Sequence, residues 1–415
     1  EAKNDMYAAF ISRALELTHD SGAVGMLTMH SFMFISSYEV TRKHIRDLGS
    51  IVTMAHSGPG TFEFGNPGTL QTTAFTLRKV ADPTRRENTV GTYLRLVNAP
   101  TGDGKRAALE RALATGEQVY HVAQRKFDAI PGAPWAYWVS DKIRELFVSL
   151  PKLGDVVEPR QGLATTHNAR FLRYWWELGR HRIALWHPRE ARVSLTEGYW
   201  FPYMKGGDYR KWYGNQDYVV NWNREGIEIK EEIVHRYPYL NGNWGWVAKN
   251  TDFYFREGVT YSYLTSGNFS VRLMPEGFVF DVAGSSIFGS SHDENIAILA
   301  LLNAQFSRYA LRLLNPTVNF QVGDLKRVVV NLKVNTNVRS IVAKSLSAAM
   351  ADVVTSETTY DFIAPLAWHT GLDDAAAAQA RLADLERQID DEVYKLYGIS
   401  DDDRAAIEAE LAGGS

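Results

Sequence analysis

Residues 5–80 alternate helical and β-like periodicity in an order that few folds satisfy. Residues 5–18 place Met6, Phe10, Ala14, Leu15 and Leu17 at helical spacing, and Asp20-Ser21-Gly22 supplies the stop. Residues 23–29 form a short, mostly apolar run, the mark of a strand buried in a parallel sheet. Helical spacing returns over residues 36–48, with Tyr38, Val40, His44, Ile45 and Leu48 expected inward and Arg42, Lys43 and Arg46 outward. Two β-like runs follow, residues 51–55 and 70–78, on either side of a Gly/Pro-rich loop. Helix, strand, helix, strand, strand is the order of the second half of an open α/β sheet.

The chain of 415 residues is longer than one ordinary domain, and its length implies roughly two to three. Residues 81–150 read as a charged linker or insert with short helices near 105–113 and 141–150. Residues 151–332 mix Trp, Tyr and Phe with Gly-rich turns, and β-like runs are expected at 153–157 and 321–330. Within that span a short helix is expected at 227–235 and a long one at 291–314, ended by Asn315-Pro316. Residues 333–415 carry helices at 335–355 and 376–396, the second with a stripe of Leu382, Leu385, Ile389, Val393 and Leu396. The fold class is therefore α/β followed by α+β: half an open sheet, a mixed, mostly β domain, and a helical C-terminal tail.

Composition narrows the chemistry. With 45% hydrophobic and 22% charged residues the chain is a globular protein, and no apolar run reaches the length of a membrane span. It has no cysteine, which excludes disulfides, Cys-ligated zinc and thiol nucleophiles, and a cytoplasmic location fits. Its 11 histidines lack metal-ligand spacing, so no metal is expected. No Gly-x-Ser-x-Gly accompanies Asp5, His30 and Ser31, so a hydrolase triad is set aside. Starting without Met and ending Gly413-Gly414-Ser415, the chain is expected to be a piece of something longer.

The formal net charge of −3 hides two opposed regions. Between residues 160 and 215, Arg160, Arg170, Arg173, Arg180, Arg182, Arg189, Arg192, Lys205, Arg210 and Lys211 face only Glu177, Glu190, Glu197 and Asp208. Residues 373–410 are acidic instead. A polyanion partner depends on the local field, and residues 200–213 concentrate six rings, three cations and Gly206-Gly207. Such a run suits a nucleic-acid surface, where rings stack, cations meet phosphates and glycines permit close approach. An amphipathic turn with snorkelling Lys and Arg is the competing reading. Trp175, Trp176, Trp244 and Trp246 read as packing groups more than stacking platforms.

Specific words in the chain resemble a known family. Asp5-Met6-Tyr7-x-x-Phe10, a helix, Ser21-Gly22, an apolar strand and His30-Ser31-Phe32 resemble the region after the catalytic motif of gamma-class N6-adenine DNA methyltransferases, the TaqI-like group. Residues 200–213, Val219-Val220-Asn221-Trp222, residues 255–260 and the run 280–286 resemble more specifically the adenine methyltransferases of BREX phage-defence systems, also called phage growth limitation. The resemblance implies that residues 1–80 are the second half of a Rossmann-like methyltransferase sheet. Residues 151–332 would be a TaqI-like target-recognition domain, followed by C-terminal helices over 333–415. It implies double-stranded DNA and other proteins of the defence system as partners, and S-adenosylmethionine as methyl donor of the full-length enzyme.

Two elements of that family are missing here: the glycine-rich turn that binds S-adenosylmethionine, and the Asn/Asp-Pro-Pro-Tyr that holds the extruded adenine. Asn66-Pro67-Gly68 and Asn315-Pro316-Thr317 come nearest, and both fail at the third position. The family layout puts the missing elements upstream of Glu1, so this piece alone is expected neither to carry the cofactor nor to methylate. Asp5, Tyr7, His30, Ser31 and Phe32 would border the methyl-transfer pocket. DNA contacts are expected from Thr165, Thr166, Asn168, Arg170, Arg173, Lys205, Arg210, Lys211 and Asn215, and from Asn315, Thr317 and Asn319 after the long helix. Gln216 is a further base-edge reader beside Asn215, whereas Gln161 stands where the family has a base-packing aromatic, and that role is not assigned. Two other classes compete: a carbohydrate-binding module, given the Trp-rich β region, and a protein-interaction scaffold docking through its acidic tail.

Overall fold

The computed structural model describes residues 5–62, 70–184, 199–264, 268–317 and 319–413. Asn66-Pro67-Gly68 and the cations Arg189 and Arg192 lie outside the described residues. The chain divides into two compact units, Glu1–Leu150 with Leu311–Thr317 and Ala409–Ser415, and Pro151–Ala310 with Val318–Glu408. It is a mixed α/β protein, with three sheets among the described residues and a helical C-terminal region.

In the first unit, β1 (Ala23–Met29), β2 (Gly49–Gly58), β3 (Thr72–Lys79), β4 (Val90–Arg95) and β5 (Val119–Ala123) form one sheet in the order β1-β3-β2-β4-β5. Antiparallel β3 lies between β1 and β2, which therefore run the same way, while β4 is parallel to β2 and β5 antiparallel to β4. Helices α1 (Met6–Leu17) and α2 (Glu39–Leu48) bury Ala8, Ile11 and Leu15, and Ile45, in a core centred on Phe32. The Phe32 ring meets Trp135 edge-on at 5.2 Å and Phe75 at 5.6 Å.

Three expectations change here. The described partner of β1 is antiparallel, and only alternate residues such as Val24 and Thr28 are buried while Leu27 is 54% exposed. Arg42, expected outward, is 1% exposed, because its guanidinium donates to the carbonyls of Phe32, Ile35 and Gly132. Those carbonyls match its fixed fork of donors, and burial then costs little. Val40 takes the outward position instead, at 53% exposure. Residues 81–150, with their linker-like sequence, supply β4 and β5.

The second unit holds two four-stranded sheets. One orders β11 (Val271–Met274), β10 (Gly258–Tyr261), β13 (Ser286–Phe288) and β6 (Glu158–Arg160), all antiparallel. The other orders β12 (Val279–Phe280), β8 (Phe201–Met204), β9 (Tyr218–Val220) and β7 (Leu172–Tyr174), with β12 parallel to β8. Their shared core includes Leu163, Phe171, Tyr203, Trp222, Tyr254 and Phe280. The runs expected as strands at 153–157 and 321–330 instead open with short helices, Leu153–Val156 and Val322–Leu325. Asp155 and Asp324 cap them by accepting from the N–H of Lys152 and Gln321. The long helix splits into His292–Asn303 and Gln305–Leu314 at Ala304, whose ψ of 152° is extended. Helices Thr336–Val353 and Gly371–Tyr397 pack together, and bury Ile341 and Val342 on the first and Leu385, Ile389 and Val393 on the second. No helix among the described residues is long and apolar enough to cross a membrane.

Candidate nucleic-acid interface

Residues 200–213 do not present a surface of rings. Trp200, Phe201, Tyr203, Trp212 and Tyr213 are buried, and only Tyr209, 43% exposed, faces solvent. β8 is an inner strand, paired along its edges with β9 and β12, and all four of its residues are buried, with Phe201, Tyr203 and Met204 in the core. What this strand does present is the side chain just past its end.

Lys205 leaves β8 and meets Asp281, the residue after β12, with Nζ 2.7 Å from Oδ2. The Asp281 carboxylate is 1% exposed. Tyr203, fully buried, donates its hydroxyl to the same oxygen at 2.5 Å, and the backbone N–H of Ala283 donates to Oδ1 at 2.6 Å. Burial first, and then Asp281, push the Tyr203 hydroxyl well above its ordinary pKa, so it remains a donor. The Tyr203 oxygen also lies 3.1 Å from the carbonyl of Leu163, which ties the strand to the loop at 161–168. That loop threads close beside β12: a Cβ on Gly162 would sit 2.0 Å from the carbonyl oxygen of Phe280, so only glycine fits.

Lys205 and Asp281 open onto a cavity of about 580 Å³ lined also by Ala164, Thr165, Thr166, His167, Asn168, Arg236 and Val282. Thr166 holds φ at +63°, a left-handed conformation that is strained for a β-branched residue. Arg236, at the end of helix Asn223–Arg236, donates to its carbonyl at 2.6 Å. Thr165 is buried and donates its hydroxyl to Asn168 Oδ1, while Asn168 is exposed. Thr165, Thr166, Asn168 and Lys205, spread along the sequence, thus meet at one cavity.

The remaining candidates fall into other settings. Arg170 stacks over Phe171 at 4.8 Å and pairs with Glu232 at 3.1 Å and Glu228 at 3.4 Å. Arg173 donates to the carbonyls of Ala169 and Leu172 and lies over the Trp200 ring. Arg210 pairs with Asp352, and Lys211 with Glu386, which also accepts from Trp212 Nε1 at 2.8 Å. Asn215, at φ +57°, donates its amide to the carbonyl of Asp208 and holds a turn. Gln216 is 2% exposed, so it is not a base-reading group here. Asn315 accepts from the N–H and hydroxyl of Thr317 in an Asx-type turn, and Asn319 bridges to Leu264. Among the tryptophans, Trp176 is 45% exposed and stacks on Tyr174 at 4.5 Å, and Trp246 is 66% exposed.

In the first unit, the Tyr7 hydroxyl and Ser31 Oγ lie 2.9 Å apart, Asp5 is exposed, and Phe32 is core. His30 Nδ1 is 2.7 Å from His56 Nε2, and His56 Nδ1 is 3.0 Å from the Tyr137 hydroxyl. Burial lowers the His30 pKa to about 4. His56 is also held well below the ordinary range, first by burial and then by His30, Arg95 and Lys105.

Asp281, His167 and Arg236 escaped sequence reasoning. Asp281 falls inside a run noticed only for its resemblance, and Arg236 one residue past an expected helix; neither carries a local signal that it faces Lys205 or Thr166.

The fold is shared with a DNA-bound enzyme of restriction and modification. The type IIL restriction-modification enzyme MmeI, solved in complex with DNA, matches with a TM-score of 0.50 at 11% identity, covering 98% of this chain and 52% of that one. No protein-family model matches. The chain is 34% identical over 364 residues to the adenine-specific methyltransferase PglX of Lacticaseibacillus casei (strain Zhang). It is 31% identical over 365 residues to the adenine-specific methyltransferase BrxX of Escherichia coli O9:H4 (strain HS). Each match takes in 87% of this chain, which spans 29% and 28% of the two relatives. The chain is thus a homologue of part of the BREX adenine-specific methyltransferases PglX and BrxX, as its sequence words implied.

Proposed function

We propose that this chain is the target-recognition portion of a site-specific N6-adenine DNA methyltransferase of a phage-defence system, joined to the second half of that enzyme's Rossmann-like sheet. The observation that carries the reading is the similarity to two adenine-specific methyltransferases across 87% of the chain. The first sheet supports it: among the described residues β1 is an edge strand, where further strands can pair, and Leu27 on it and Met6, Phe10 and Leu17 on α1 are more than half exposed. Those strands would come from the remainder of the enzyme.

DNA would meet the cavity at Thr165, Thr166, Asn168 and Lys205, with Arg170 and Arg173 beside it able to exchange their present partners for phosphates. Arg210, Lys211 and Asn215 are assigned instead to holding the C-terminal helices and their own turn. Asp5, Tyr7, His30 and Ser31 would border the methyl-transfer pocket, with Phe32 packed behind them. S-adenosylmethionine, the methyl donor on a sulfonium, is assigned to the full-length enzyme. The Asn315 carboxamide oxygen, engaged by Thr317, does not fit the orienting of an adenine amino group.

The test is binding of the purified chain to duplex DNA at two salt concentrations. Affinity is expected to fall by about tenfold or more between about 50 and about 200 mM salt, since each phosphate contact releases a counterion. Absence of binding, or binding indifferent to salt, would contradict the reading.

A further inference from the structure

The cavity beside Lys205 is rich in hydrogen-bond donors, and its lysine is neutralised by a buried carboxylate. Lys205 uses one N–H on Asp281 and keeps two. Asn168 accepts from Thr165 through Oδ1, while its Nδ2 has no partner among the described residues. Arg236 engages the Thr166 carbonyl through Nη1 and leaves Nε and Nη2 available. The buried carboxylate, by contrast, is fully engaged: the two oxygens of Asp281 are taken by Tyr203, Lys205 and Ala283.

Lys205 is neutralised by the buried Asp281, while Arg236 is turned onto the Thr166 carbonyl. Phosphate anchoring depends on net positive charge and released counterions, which the Lys205–Asp281 pair supplies poorly. Oriented donors without net charge suit neutral acceptors. In the major groove the base that offers two acceptors and no donor is guanine, through N7 and O6.

Resting on the DNA-binding reading above, we propose that this cavity reads a guanine of the recognition sequence through Lys205 and Asn168. Asp281 acts as the positioning residue that fixes the direction of the Lys205 ammonium. Arg236 holds the Thr166 turn that aims Asn168.

The experiment is selection of binding sequences from a random duplex library by the whole chain, followed by affinity and salt titrations on the selected duplex. The wild type is expected to enrich guanine at one position. Lys205→Gln and, separately, Asn168→Ala are expected to lower discrimination at that position about tenfold, with the salt slope unchanged. Asn168→Ala lies outside the buried ion pair, so it carries the test if Lys205→Gln fails to fold. Two results overturn the inference: unchanged discrimination in the folded variants, or equal weakening on every sequence with a salt slope reduced by about one. A wild type that binds duplex DNA but enriches no base overturns the guanine assignment and leaves DNA binding standing. A wild type that binds no duplex overturns the DNA reading, and this inference with it.

Discussion

Lys205 and Lys211 stand six residues apart in one aromatic run, and each is paired with a distant carboxylate, yet the pairs do opposite things. Beneath Lys205 the carboxylate is the buried partner: Asp281 is 1% exposed, and the lysine, at 27%, looks out onto a cavity. At Lys211 the lysine is the buried partner, 11% exposed, and Glu386 at 27% closes over it while also taking Trp212 Nε1. A carboxylate below a lysine aims it outward; a carboxylate above one seals it in. The same contrast explains the uneven charge along the chain, since part of the acidic tail neutralises part of the basic middle from helix Gly371–Tyr397.

The strongest way to break this comparison is Asp281→Ala. It strips the acceptor from the buried Tyr203 hydroxyl and leaves Lys205 unpaired, so urea unfolding is expected to show a loss of about 3–4 kcal/mol. Glu386→Ala removes the acceptor of Lys211 and Trp212 at the edge of the tail, with an expected loss of about 2–3 kcal/mol by the same assay. Duplex affinity of Glu386→Ala should match the wild type, which separates sealing from aiming.

An uncharged pair in the first unit sharpens the contrast. His30 titrates near 4 in the folded chain because burial disfavours its cation, against an ordinary 6.5. Unfolded chains therefore bind protons first as pH falls below about 6.5, and stability present above that value is lost on the way down to about 4. Between pH 7 and pH 5, unfolding free energy should drop by about 2 kcal/mol from His30, with His56 adding to it in the same direction. Unfolding midpoints in urea at the two pH values measure this. Smallest of all is Arg210→Ala, expected to cost under about 1 kcal/mol, because Arg210 and Asp352 are 38% and 56% exposed.

The helices and strands of residues 5–80 were legible because periodicity reports which faces are apolar. Strand direction is not encoded that way, and the antiparallel β3 beside β1 could not be read from an apolar run. Arg42 was misplaced because its burial depends on carbonyls, one of them at Gly132, 90 residues on. The run at 200–213 was misjudged for a related reason: rings and cations look alike in a binding surface and in a sealed core. What separates the two cases is the partners, Asp281, Asp352 and Glu386, which lie 76, 142 and 175 residues away from Lys205, Arg210 and Lys211. Thr165, Thr166 and Asn168 were nameable through the family's motif order and Lys205 through the cations of its aromatic run, while Asp281 and Arg236 became visible only when the sheets brought them to the cavity.

Amide hydrogen exchange of the whole chain, with and without duplex DNA, tests most directly the claim that DNA meets the Lys205 cavity and not the sealed half of the run. Slower exchange over residues 163–171 and 205–207, with no change over 209–217, is the expected result. Protection of residues 209–217 with none over 163–171 would contradict it.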